Sequence, residues 1–265
     1  MTRQPGAWAI HRAASIPSPY EVTVCESGSV ARRPRVLATA RPRAGRRFEP
    51  IHELELEPDA LNAARSLPGA HRGLVVLREM TGPYGVPDLV AVVGPPSLLK
   101  QRRRLSVPPL LNQVDAGVVA AASPRAGRRV ETLAHRVGWP EESVRRRLPG
   151  LVKTGALVPN GPESFIRQAA LQPVGRLYAI ETKVKDWRRA LRQARTYTLW
   201  CDSYVLVMPS LSSGSRSALL TEVADDGAGL IIDGAWIKRP LLGKRSPAQR
   251  LWGSEHLVAA LHEPS

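Results

Sequence analysis

The sequence predicts an α/β protein: a mixed sheet core flanked by helices, with a helical module inserted between its strands. Three observations lead there. Short β-branched runs bounded by turn residues fall into two groups, one over residues 73–93 and one beyond residue 177. Segments with helical apolar spacing occupy the interval between them. Beyond that interval, strand-like and helix-like stretches alternate, as they do in α/β units.

The first fifty or so residues are rich in Arg and Pro (Arg32, Arg33, Arg35, Arg41, Arg43, Arg46, Arg47) and lack periodicity. They read as an irregular arm or as a DNA-contacting extension. A short helix is expected over Pro58–Ser66, where Leu61, Ala64 and Leu67 recur at helical spacing. Gly73–Met80 and Pro87–Val93 read as strands joined by the turn Thr81-Gly-Pro-Tyr-Gly85, and so as a hairpin. Gly94-Pro-Pro96 ends it, and Gln101-Arg-Arg-Arg104 reads as linker within reach of phosphate. Leu110–Ala122, Arg129–Val137 and Glu141–Lys153 carry helical spacing. The third opens on Pro140, with Glu141 and Glu142 near the positive end of its dipole. Val158–Ile166 reads as a turn between short strands. Strands are then expected at Leu177–Lys183, Ser203–Met208 and Gly229–Ile237, and helices at Asp186–Trp200 and Pro247–His262. The expected units are a basic arm (1–54), a core in two pieces (55–97 and 172–265) and an insertion (98–171).

Across 265 residues, 43% are hydrophobic and 23% charged, which fits a folded chain. Thirty-eight Lys and Arg against 23 Asp and Glu leave a formal charge of +15, which points to a polyanionic partner, above all nucleic acid. No apolar run approaches the roughly 18 residues of a spanning helix, and the N-terminus lacks the apolar core of a signal peptide. A cytoplasmic protein without a membrane partner is therefore expected. Cys25 and Cys201 are too few and too far apart for a disulfide framework or a zinc cluster.

Two short stretches carry chemistry: Pro87-Asp88 and Glu181-Thr182-Lys183. Strand side chains alternate between faces, so Glu181 and Lys183 share one. An acidic residue at the start of a neighbouring strand would place two carboxylates and an ammonium in one cleft. Carboxylate oxygens suit a hard divalent cation such as Mg2+, and an ammonium can orient water or stabilise charge on a phosphate. The same residues also suit a turn-ending Asp88 and a cross-strand charge pair on a wet sheet face.

These residues resemble the PD-(D/E)xK nuclease superfamily, whose motif Pro87-Asp88 and Glu181-Thr182-Lys183 match as written. The hairpin bearing Asp88 and the order of strand, helix and strand after it are similar too. Gln193-Ala-Arg-Thr-Tyr197 looks like the Gln-xxx-Tyr element of the RecB-like exonuclease branch; Gln193 and Tyr197 are spaced to share one helix face, though Tyr197 also suits plain core packing. The resemblance covers roughly residues 55–95 and 172–240. It implies a restriction-endonuclease-like core with catalytic Asp88, Glu181 and Lys183. It further implies a metal held by Asp88, Glu181 and the Thr182 carbonyl, Mg2+ with Mn2+ as substitute. The leading helix of that superfamily often adds an acidic ligand. Glu79, Glu55 and Glu57 are candidates here, and Glu79 equally suits a solvated hairpin position.

The stretch from Val130 to Val158 looks like a winged helix-turn-helix of bacterial regulators, with Gly138-Trp139-Pro140 as its turn. Leu133, Ala134, Val137, Val144, Leu148 and Leu151 are its expected buried positions. Ser143, Arg145, Arg146 and Arg147, with Arg128 and Arg129, are its expected DNA contacts. Pro149 departs from the pattern by interrupting the second helix. Residues 98–172 hold 13 basic and five acidic side chains, a surplus of eight.

The expectation is a metal-dependent deoxyribonuclease acting on duplex DNA, guided by the inserted module, in defence or repair. A homodimer is in keeping with paired cuts by such folds. The alternatives are a DNA-binding transcriptional regulator on a non-catalytic nuclease-like scaffold, and a nuclease directed at RNA.

Overall fold

The computed structural model describes residues 38–39, 51–243 and 245–261. Along the chain, β1 (Ala38–Thr39) is followed by α1 (Ile51–Glu55), α2 (Glu57–Arg65), β2 (Leu74–Arg78) and β3 (Leu89–Val93). Then come α3 (Pro96–Arg103), α4 (Gln113–Ala121), β4 (Arg128–Arg129), α5 (Val130–Val137), α6 (Glu141–Lys153), β5 (Leu157–Pro159) and β6 (Ser164–Arg167). Next are β7 (Arg176–Thr182), α7 (Trp187–Tyr197), β8 (Ser203–Met208) and α8 (Ser213–Asp225), then β9 (Gly229–Ile232), β10 (Ala235–Lys238) and α9 (Pro247–Ala260).

The main sheet has the order β1-β2-β3-β7-β8-β9-β10. Strands β2, β3 and β7 are antiparallel neighbours. β8 and β9 then run parallel to β7, and β10 returns antiparallel. The α/β class with a mixed, helix-flanked sheet therefore stands. All five residues of β3 are buried, because helices cover both faces of the strand. Val90 and Val92 join Leu177, Ala179 and Leu206 in the core shared with α7 and α9. Leu89, Ala91 and Val93 join Tyr178 and Ile180 over Ala60, Ala63 and Ala64 of α2.

The segment between β3 and β7 leaves and re-enters where Val93 pairs with Arg176. It carries α4, α5 and α6 with a small sheet of order β4-β6-β5. Its α4 packs on α9, and the two share one apolar core. A buried ion pair fixes the joint. Arg102 Nε and Nη2 donate to Glu255 Oε1 and Oε2 at 2.8 and 2.6 Å, and Arg102 Nη1 donates to the Val107 carbonyl at 3.0 Å.

Several boundaries differ from the expectation. Gln101–Arg104 is no linker: Gln101, Arg102 and Arg103 end α3, and Arg102 is buried against Glu255, out of reach of any phosphate. Pro149 does not stop α6, which runs to Lys153; an internal proline removes one backbone donor without breaking this helix. Gly229–Ile237 is two strands, turned at Asp233-Gly234, both at positive φ, the hairpin geometry an Asp-Gly pair favours. Helix α8 was not foreseen; its apolar residues form no marked stripe. Of the Arg/Pro-rich arm, Arg32–Arg47 lie outside the described residues apart from Ala38–Thr39, as does Cys25.

Candidate active site

Asp88 immediately precedes β3, and Glu181 and Thr182 end β7. The two strands are in register to Leu89 opposite Ile180. One step further along that register, Asp88 comes opposite Glu181 at the end of the paired stretch. Both the backbone N–H and the hydroxyl of Thr182 donate to Asp88 Oδ2, each at 2.7 Å. Lys183 stays on the line of the sheet, its N–H donating to the Val207 carbonyl at 3.1 Å.

Lys183 Nζ lies 3.2 Å from Glu53 Oε2 and 3.4 Å from Glu181 Oε1. The Glu181 side chain is 1% exposed and that of Lys183 12%. Burial pulls the Lys183 pKa down, but Glu181, Asp88 and Glu53 together outweigh it and hold the group above its ordinary value. The side chain therefore stays an ammonium at neutral pH. Three carboxylates around one ammonium give the cluster a formal charge of −2, in a protein of formal charge +15.

Helix α7 reaches Glu181 from the side. Tyr197 donates its hydroxyl hydrogen to Glu181 Oε2 at 3.0 Å, and Gln193 Nε2 donates to the Tyr197 oxygen at 2.9 Å. Burial, with Glu181 beside it, pushes the Tyr197 phenol well up, so it remains a donor. The loop leading to Asp88 is seated on the end of the same helix and on Trp200 just beyond it. Trp200 Nε1 donates to the Tyr84 carbonyl at 3.3 Å. Gly85 has φ +82°, and a Cβ there would lie 3.0 Å from the Tyr197 ring.

The structure thus brings together Asp88, Glu181, Thr182, Lys183, Gln193 and Tyr197. Glu79 is elsewhere in role: at φ 48° it donates its N–H to the Asp88 carbonyl and shapes the loop. Glu55 is exposed, and Glu57 pairs with Arg78. The acidic partner from the leading helical segment is instead Glu53, inside α1. Sequence reasoning missed it because it sits at the fringe of the arm, outside the expected helix; the Glu53-Leu-Glu-Leu-Glu57 run was its only signal.

Among the described residues no three His, Cys, Asp or Glu side chains converge to hold a metal between them. What the site offers a hard cation is the carboxylates of Asp88 and Glu181, all-oxygen donors inside a net negative cluster, and that chemistry fits Mg2+.

In the insertion, Leu133, Ala134, Val144, Leu148 and Leu151 are buried as expected, and Val137 partly so. The arginines behave differently. Arg145 pairs with Glu141 and Glu163 at 2.7 and 2.6 Å, and Arg147 with Asp115 at 2.5 Å. Arg129 lies 3.4 Å from Glu131, and Arg128 donates to the Ala121 carbonyl. Arg146 is exposed, donating to the Ser143 hydroxyl at 3.3 Å.

No helix among the described residues is long and apolar enough to cross a membrane. Comparison of the chain with protein-family models, with curated proteins and with solved structures found no match in any of the three.

Proposed function

We propose that the protein is a metal-dependent nuclease that hydrolyses phosphodiester bonds of DNA at the Asp88–Glu181–Lys183 cluster. The observation that carries this reading is the group of three carboxylates around one ammonium at the ends of β3 and β7, electronegative within a basic protein. A polyanion drawn to the surface meets a local site whose charge is complementary to a dication. The antiparallel β2-β3-β7 unit with β8 parallel beyond it, together with α7 between β7 and β8, supports a restriction-endonuclease-like core. The order of α4, α5, α6 and the β4-β6-β5 sheet supports a winged-helix insertion.

Asp88, Glu181 and the Thr182 carbonyl would hold Mg2+ or Mn2+. The ion supplies Lewis acidity toward a phosphoryl oxygen when bound. Thr182 holds the Asp88 carboxylate in place through two bonds to one oxygen. Tyr197, backed by Gln193, does the same for Glu181. Lys183, kept protonated, stabilises charge developing on the phosphate and does not serve as the base that takes a proton from water. Glu53 anchors its ammonium from α1. Hydrolysis adds water across one P–O bond; the leaving oxygen gains a proton and the other proton goes to solvent.

The test is incubation with supercoiled plasmid, linear duplex and single-stranded DNA in Mg2+, Mn2+ or EDTA, with Lys183→Ala alongside. Metal-dependent cutting that falls at least about a hundredfold in the variant supports the reading. Binding in every metal without cutting would support the regulator instead, and cutting confined to RNA would redirect the substrate.

A further inference from the structure

We infer that the exposed face of α7 formed by Arg188, Arg189 and Arg192, with Lys185 just before the helix, is the surface on which the backbone of duplex DNA rests beside the catalytic cluster. The inference deepens the nuclease reading and rests on it for the substrate.

Helix α7 begins four residues after Lys183, at the end of β7 that carries the cluster. Its buried side holds Ala190, Leu191, Ala194 and Tyr197. The opposite side exposes Arg188, Arg189 and Arg192, which at 3.6 residues per turn fall within about a third of the circumference. Lys185 is exposed as well. Among the described residues, none of these four cations forms a salt bridge. Arg195, one turn on, shows what pairing looks like on this helix: it is tied to Glu222 and Asp226, each at 2.7 Å. The nearest carboxylate in sequence, Asp186, is spent capping the helix, accepting the Arg189 N–H at 3.0 Å. Arg188 is steadied over the Trp187 ring at 4.4 Å.

The face is continuous with the site. Arg189, Gln193 and Tyr197 follow one another at i, i+4 along the helix, and Tyr197 ends on Glu181. From Lys185 to Arg192 the stripe runs roughly 10 Å. Duplex DNA presents one phosphate per about 1.7 Å of its axis, so several fall within reach of it.

Helix α6 is placed and charged differently. Arg145 and Arg147 are already neutralised by Glu141, Glu163 and Asp115. The insertion that carries them also joins the sheet at the Val93–Arg176 end, opposite the end where Asp88 and Glu181 lie. Among the described residues, of the α6 run only Arg146, bonded to the Ser143 hydroxyl, is without a carboxylate partner, whereas all four cations of the α7 stripe are, and they sit next to the chemistry.

The experiment measures affinity for a 30-base-pair duplex in EDTA across 50–200 mM salt, with plasmid cleavage in Mg2+ run in parallel. Each lost phosphate contact flattens the dependence of log K on log salt by about 0.9. Lys185→Ser, Arg188→Ser, Arg189→Ser and Arg192→Ser combined should flatten it by about 3.6. The milder pair Arg189→Gln and Arg192→Gln, which serves should the fourfold variant fail to fold, should flatten it by nearly 2. Arg145→Gln with Arg147→Gln should change it by less than about 0.5. Unchanged slopes in the α7 variants, or no binding of duplex by the wild type, would overturn the inference. Unchanged slopes with Lys183-dependent cutting would overturn it alone and leave the nuclease standing. A flattened slope in the α7 variants without cutting in any metal would overturn the nuclease and support the surface.

Discussion

Tyr197 donates to Glu181 across 3.0 Å, and this bond joins the one fully buried tyrosine of α7 to the most buried carboxylate of the candidate site. A carboxylate that is 1% exposed must be held by bonds, since water does not solvate it. Tyr197→Phe keeps the ring in the core and removes only the hydroxyl. The expected result is a loss of about 1–3 kcal/mol of stability, from a charge left with one donor fewer. Plasmid cutting should fall about tenfold as Glu181 loosens. Gln193→Ala, one bond further out, should cost less in both thermal unfolding and cleavage. Equal effects of the two would show that Gln193 acts on Glu181 by another route.

The state of Lys183 sets a pH dependence of definite sign. Its folded pKa is held above the ordinary lysine value by Glu181, Asp88 and Glu53, against the downward pull of burial. A raised folded value means that the ammonium's contribution to stability is fully present below the unfolded pKa near 10.5 and is lost as pH rises through the folded one. The stability difference between wild type and Lys183→Met should therefore be flat between about pH 7 and pH 10 and shrink only above it. Urea unfolding at several pH values measures this. A difference that faded between pH 7 and pH 9 would mean a lysine that deprotonates there, one able to act as a base.

Much of this was legible in the sequence because strands impose a period of two. Glu181 and Lys183 could be assigned to one face from alternation alone, Asp88 joined them as the acidic start of a neighbouring strand, and the i, i+4 spacing of Gln193 and Tyr197 predicted a shared helix side. Glu53 was not legible. It enters through a five-residue helix whose position is set by packing of the neighbouring α2 on the sheet, not by any pattern of its own. The α6 arginines show a different limit. Their run reads as a basic face, but Glu163 and Asp115 come from 18 and 32 residues away, and sequence spacing says nothing of such pairs. The burial of Arg102 was hidden for the same reason, its partner Glu255 being 153 residues distant.

Gly82 makes the fit between the Asp88 loop and Trp200, just beyond α7, testable. A Cβ at this position would lie 2.3 Å from Trp200 Cζ2 and 2.7 Å from Cε2, and that ring is 1% exposed. Neither side can yield cheaply, since Trp200 also stands edge-on to Tyr197 with centroids 6.1 Å apart. Gly82→Ala should cost about 1–3 kcal/mol by overpacking. The displaced loop carries Asp88, so cutting should fall along with stability. Gly214→Ala, in the first turn of α8 where a Cβ would meet nothing within 4 Å, is the control: cutting should be unchanged and stability equal or higher by up to about 1 kcal/mol. Parallel urea titrations and plasmid assays decide it.

The Arg102–Glu255 pair predicts an asymmetry that most ion pairs do not. Both side chains are essentially inaccessible, at 1% and 0% exposure, so each charge has given up its water and depends on the other. The pair is also well satisfied: Arg102 donates to the Val107 and Pro108 carbonyls, and Glu255 accepts the Leu110 N–H. Removing one partner leaves a desolvated charge, and Arg102→Met or Glu255→Leu alone should cost about 3–5 kcal/mol. Replacing both together removes the desolvation cost along with the attraction, so the double variant should recover most of that loss. These bonds tie α9 to the segment leading into α4, so the single variants should also loosen the insertion from the core. In urea, far-UV circular dichroism and tryptophan fluorescence should then cease to report one coincident transition. A double variant as unstable as the singles would mean that the carbonyl and Leu110 bonds, and not the charge pair, hold the joint.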